Sequence, residues 1–162
     1  MTMEIALTQG QVALIDDEDC ELVSGYKWYA QWDPKMRSFY AKANTMNADG
    51  KRTALLMHRL IMNARKGDLV DHIHHLTLDN RKSELRICTR NQNNQNARKR
   101  VDSTSGVKGV SFKSREQKWN ARISANGKYI HLGYFDTLEQ AAMARAAAVI
   151  LYHGEFGRIA CP

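Results

Sequence analysis

The sequence predicts an α+β protein built in two parts, and three observations carry that expectation. Short β-prone runs separated by turns fill the first seventy residues. A strand, loop, strand, helix order follows over 69–98. After Gly106 the pattern changes to three period-2 segments and one Ala-rich helical stretch, the pattern of a three-stranded antiparallel sheet packed on one helix. The segment 98–105 (RKRVDSTS) is charged, then small and polar, and reads as a linker. The expected division is therefore residues 1–100 and residues 105–162, with a strand–strand–helix core at about 69–98.

The elements follow in order. Residues 3–15 suit two short strands around the Gln9-Gly10 turn. Asp16-Asp17-Glu18-Asp19 reads as a solvated acidic turn, because charge runs are usually surface. Tyr26–Ala30 and Ser38–Ala41 are rich in aromatic residues and suit a strand pair. Residues 54–62 (ALLMHRLIM) suit a short helix, or a strand leading into one. Residues 69–73 suit a buried strand and Leu85–Cys88 a second. Thr89, with Gln92 three residues later, is a capping box that starts a helix running to about Lys99. In the second part, Val110 and Phe112, then Trp119, Ala121 and Ile123, then Ile130 and Leu132 alternate with polar residues. Ala125-Asn126-Gly127 joins two of these strands. Thr137 and Gln140 form a second capping box, opening a helix that Gly154 ends.

At 162 residues, with 43% hydrophobic residues, the chain has material for one domain or two small ones. Below about 70 residues a lone core is marginal. The net charge is +7, and it is unevenly spread. Lys/Arg and Asp/Glu balance at nine each over residues 1–70, whereas residues 71–104 carry seven against four and residues 105–162 eight against four. A one-sided basic excess points to a polyanionic partner; a merely soluble basic surface is the plainer reading. Cys20, Cys88 and Cys161 are far apart, with no CxxC pair, so a Cys-ligated structural zinc is not expected. No basic-then-apolar leader opens the chain and no 18-residue apolar stretch occurs, so neither secretion nor a membrane span is expected.

The most informative stretch is VDHIHHLTLDNRKSELRICTRNQNNQN, residues 70–96. Asp71-His72 stands on the first strand, Leu78-Asp79-Asn80-Arg81 in the loop, Leu85-Arg86 at the second strand and Gln92-Asn93 on the helix. Met57-His58-Arg59-Leu60 lies upstream. This set, in this order, resembles the HNH nucleases, especially the zinc-free phage and intron homing type. The resemblance implies a ββα-metal core, with His72 as general base and Asp71 and Asn93 as ligands of one divalent metal, Mg²⁺ or Mn²⁺. Imidazole titrates near neutrality and suits proton abstraction, and hard cations take carboxylate and amide oxygens. Asn80 and Glu84 stand as supports of the site, and Arg81 as a DNA contact. Taken singly, Asp71 reads as a capping or salt-bridge residue, His72 as a core histidine, Asn93 as a helix-surface amide and His58 as a packing residue. Two departures mark the chain. The loop holds His74-His75-Leu76 where small residues are usual, and Glu84 replaces the family's middle Asn. His72, His74 and His75 also suit a softer metal.

Residues 105–159 resemble the APETALA2-type DNA-binding domain. The resemblance rests on Ser105–Val110, Lys118–Ile123, Leu132–Phe135, Glu139–Ala142 and Gly154–Phe156, with Ala144-Arg145-Ala146 as a departure in the helix. The alternation itself assigns Val110, Phe112, Trp119, Ala121, Ile123, Ile130 and Leu132 to the inner face. The outer face then presents Ser111, Lys113, Asn120, Arg122, Ser124, Tyr129 and His131, polar and without a carboxylate. Lys108, Ser111, Lys113, Arg115, Asn120, Arg122, Tyr129 and His131 are the expected contacts to double-stranded DNA. Sheets of this kind dock in the major groove, where Arg and Asn pair with base edges and Lys with phosphates. A solvated sheet face is the plain alternative.

Together the two resemblances imply a site-selective DNA endonuclease in the cytoplasm of a bacterial or phage-infected cell. The rivals are a non-catalytic DNA-binding regulator with a degenerate HNH core, and a structural or RNA-binding phage protein.

Overall fold

The computed structural model describes residues 1–98 and 103–158. It is mixed α+β and divides into two compact units, Met1–Thr89 and the chain from Arg90 onward. Lys99, the expected end of the third helix, residues 99–102 of the expected linker and Cys161 lie outside the described residues. Among the described residues, no helix is long and apolar enough to cross a membrane.

The first unit opens with β1 (Thr2–Ala6) and β2 (Val12–Asp16), antiparallel and joined by a 3-10 turn at Thr8–Gly10. A 3-10 turn at Asp17–Asp19 leads into α1 (Cys20–Ser24). This corrects the reading of 16–19 as solvated, since Asp19 is buried and its Oδ1 accepts from Lys82 Nζ at 2.9 Å. The partner lies 63 residues away in the chain, beyond any local pattern. A three-stranded antiparallel sheet follows in the order β3 (Trp28–Asp33), β4 (Ser38–Met46) and β5 (Arg52–Leu56). Asp33 Oδ1 accepts from the Lys35 and Met36 amides and closes the first of its turns. The 54–62 run divides: β5 ends at Leu56 and α2 (Met57–Ile61) begins. The core of the unit gathers Ala13, Ile15, Val23, Ala41, Met57, Ile61 and Leu85. Each large aliphatic side chain closed off from water contributes about 1.5–3 kcal/mol.

β6 (Leu69–His72) and β7 (Leu85–Cys88) pair antiparallel, placing Asp71 opposite Arg86 and His72 opposite Leu85. The loop between them is pinned to β2: the Leu14 amide donates to Leu78 O at 2.9 Å and the Asn80 amide to Leu14 O at 2.7 Å. A 3-10 turn at Lys82–Glu84 precedes β7.

The second unit begins with α3 (Arg90–Asn96), which was expected to belong with the first. Within the unit, Lys108 Nζ donates to the carbonyls of Asn94 (2.6 Å), Gln95 (3.2 Å) and Ala97 (3.0 Å). An ammonium group thus meets the negative end of a helix dipole. The sheet runs β10 (Lys128–Phe135), β9 (Lys118–Ala125), β8 (Val110–Lys113), all antiparallel. The turn residues Asn126 and Gly127 both have positive φ, 49° and 75°, the mirror-image turn whose twist matches a hairpin. α4 (Leu138–His153) starts at the Thr137–Gln140 capping box and stops at Gly154, φ 53°. Its Ala141, Ala142, Ala148 and Val149 pack on Val110, Ala121 and Ile123, with Trp119, Ile130 and Leu132 around them. Phe112 corrects the inner set: it is 42% exposed and rests edge-on against Trp119, 5.1 Å between ring centres. Its short strand places it one pair from the hairpin end, and it takes no part in the cluster on α4.

Candidate active site

The centre of the candidate site is His72, the last residue of β6, with 6% of its surface exposed. The pinned loop brings fully buried Asn80 to it: His72 Nε2 and Asn80 Oδ1 are 3.5 Å apart. Asn80 Nδ2 donates to Leu78 O at 3.1 Å, which turns the amide oxygen toward the ring. Because Asn80 Oδ1 only accepts, this contact favours the proton on Nε2 and makes Nδ1 the basic nitrogen.

α2 supplies a second imidazole. His58 lies 5.0 Å from His72 between ring centres, in an edge-on arrangement, and Tyr40 of β4 lies 5.8 Å and 6.1 Å from the two. Burial, then the His72 and Arg59 charges, push His58 down to a pKa of about 3. His72 is also lowered, chiefly by burial. The Asn80 hydrogen bond and the Asp71 and Asp79 carboxylates pull the other way. Both rings are therefore neutral at pH 7, the state in which an imidazole accepts a proton.

Asp71 precedes His72 and is equally buried. Its Oδ2 accepts from Arg86 Nη2 at 2.8 Å and Nε at 3.1 Å, across the β6–β7 ladder. Asp79, also buried, is gripped by Arg81, whose Nε donates at 2.8 Å. That hydrogen bond holds the Asp79 carboxyl below the usual range despite burial. Glu84 Oε2 lies 2.6 Å from His74 Nδ1, and the Ile73 amide donates to Glu84 O at 2.9 Å, so Glu84 ties the two ends of the loop together.

The structure thus gathers Asp71, His72, Asn80 and Glu84 in the first unit, while Asn93 stands on α3 of the second. Among the described residues, no cluster of three or more His, Cys, Asp or Glu is placed to hold a metal. The donor chemistry of Asp71 fits a hard cation of the Mg²⁺ type, which is commonly held by one or two carboxylates and completes its shell with phosphate oxygens and water. Sequence reasoning missed Arg86 as the partner of Asp71. The signal was the strand register, which places them opposite each other.

In the second unit the expected DNA contacts take varied positions. Lys113, Arg115, Arg122, Tyr129 and His131 are exposed, and Ser111 is half-buried. Arg122 stacks on the Tyr129 ring, 5.2 Å from its centre. Asn120 is buried, its Nδ2 3.0 Å from His131 Nδ1. Lys108 is engaged by the α3 carbonyls, and in the first unit Arg81 by Asp79.

Fold and site define a small two-unit α+β protein with a buried aspartate–histidine step at a strand end. No family model matches the chain. Over 93 residues, 57% of this chain and 76% of the other, it is 31% identical to Protein 3.8 of Escherichia phage T7. The chain belongs to the same family as that phage protein.

Proposed function

We propose that the protein is a DNA endonuclease of the phage or homing type, hydrolysing phosphodiester bonds with one divalent metal. The observation that carries this reading is His72: a neutral, buried imidazole oriented by Asn80, directly after a buried carboxylate, within the ordered 70–96 motif. His72 takes the proton of the attacking water through Nδ1. Asn80 holds the ring in the tautomer that allows this, and Asp71 offers a carboxylate oxygen to the metal. When bound, the metal supplies charge stabilisation at the scissile phosphate and the leaving oxygen. The outer sheet face of the second unit presents Lys113, Arg122, Tyr129 and His131 to double-stranded DNA. A phage relative fits action inside a bacterial host cell.

A second reading, a non-catalytic DNA-binding regulator, is favoured by the Asp71–Arg86 pair and by Glu84 at the family's Asn position. Plasmid nicking separates the two. Nicking with Mg²⁺ or Mn²⁺ that EDTA abolishes and His72→Ala cuts by about 10²–10⁴-fold supports the nuclease. DNA binding without any nicking, across both metals, supports the regulator.

A further inference from the structure

In the second unit, β8 covers only half of β9. The ladder runs from Val110 opposite Ala121 to Lys113 opposite Lys118, so β9 continues past it from Arg122 to Ala125. A cavity of about 530 Å³ opens beside that uncovered stretch. Arg145 of α4, Lys108, His153 and Arg122 line it, and among the described residues no carboxylate does.

Arg145 is the anomaly. It is 5% exposed, and its Nε and Nη1 have no hydrogen-bond partner. Native structures almost always satisfy the buried donors of a charged group, so two unpaired guanidinium nitrogens are unusual. Its neighbours make the position worse. Lys108 directs its ammonium to the α3 carbonyls, and the charges of Arg145 and Arg158, after burial, push Lys108 down to about 8. His153 is also buried. Its Nε2 donates to Ser124 O at 2.7 Å while Nδ1 has no partner. Gly109 makes room for this arrangement: a Cβ there would stand 2.9 Å from Arg145 Nε and 2.4 Å from Arg122 O.

We propose that this cavity binds a phosphate group, with Arg145 as its principal cation and His153 and Arg122 at its sides. A tetrahedral oxyanion offers several acceptors at once to a guanidinium fork, and charge-assisted bonds of this kind are about twice as strong as neutral ones. Water alone satisfies donors but leaves the charge uncompensated. The proposal invokes no residue of the first unit and so does not rest on the cleavage chemistry, although it shares Arg122 with the proposed DNA face.

The test uses the full chain and inorganic phosphate as probe, with chloride at matched ionic strength as control. Phosphate is expected to raise the melting temperature in a saturable way, and to shift the Arg145 Nε–H resonance. Arg145→Gln is expected to weaken phosphate binding by about tenfold or more. Competition by duplex DNA assigns the phosphate to a nucleic-acid backbone; phosphate binding untouched by DNA assigns it to a free phosphate compound. Stabilisation no greater than with chloride overturns the proposal, as does a folded Arg145→Gln protein that keeps the full phosphate effect. If Arg145→Gln does not fold, an Arg145 Nε–H resonance in the parent that ignores phosphate overturns it equally.

Discussion

The carboxylate of Asp71 and the guanidinium of Arg86 face each other across β6 and β7, with Nη2 2.8 Å from Oδ2 and both side chains largely closed to solvent. The pair neutralises a buried charge immediately before His72. It also sets a condition on the proposed chemistry: a metal at Asp71 has to share this carboxylate with Arg86.

Removing Arg86 therefore leaves a carboxylate buried without its cation. Arg86→Ala is expected to destabilise the first unit by about 3–5 kcal/mol, the range for breaking one side of a buried ion pair. Urea unfolding at pH 7 measures it. A loss below about 1 kcal/mol, the scale of an exposed pair, would mean that solvent already screens this one.

Stability should fall on the acid side of neutrality because of His58. Its folded pKa is about 3 against an ordinary value of 6.5, so the unfolded chain binds a proton that the native state refuses. The stabilisation is full above pH 6.5 and is lost as pH falls from there toward 3. The slope from this one group approaches about 1.4 kcal/mol per pH unit. His72, lowered in the same direction, adds to the fall. Urea midpoints between pH 7 and pH 4.5 should drop, and His58→Asn should flatten the drop. An equally steep fall in that variant removes His58 from the account.

The rate of the proposed cleavage should be flat at neutral pH and fall only in acid. His72 acts as base when neutral, and its lowered pKa places the acid limb below pH 6.5. A rate still rising between pH 7 and 8 would point to another base.

Gly109 should not accept a side chain. Its φ is +80°, and the added Cβ would meet the Arg122 carbonyl oxygen at 2.4 Å. Gly109→Ala is expected to cost more than the 1–3 kcal/mol of backbone strain alone, because backbone atoms cannot yield as a flexible side chain does. A thermal melt of this variant within a degree of the parent would contradict the described packing.

On the outer sheet face, Arg122→Ala should lower affinity for preferred DNA by about 1–3 kcal/mol. Lys113→Ala should weaken all sequences and reduce the salt slope by about one phosphate contact. Trp119→Ala should instead unfold the second unit, through a cavity costing about 3–5 kcal/mol. If Arg122 and Lys113 variants bind DNA as the parent does, the face is not the DNA surface.

Sequence by itself determined the local elements. The Asn126-Gly127 turn, the Thr137–Gln140 capping box and the alternation of Trp119, Ala121 and Ile123 are each set by residues a few positions apart, and the structure contains them. The order of residues 70–96 likewise placed Asp71 and His72 on one short strand. Only the tertiary structure decided what those residues face. His58 meets His72 from a different element, Asp19 is buried against Lys82, Asp71 meets Arg86, and α3 groups with the second unit. Arg145, which in sequence is one charge in an Ala-rich helix, is buried with its Nε and Nη1 unpaired, beside the stretch of β9 that extends past β8. Local pattern reports backbone preference and face, because both depend on near neighbours. Burial and charge compensation depend on which distant groups the fold brings within a few ångströms, and those carry no local signature.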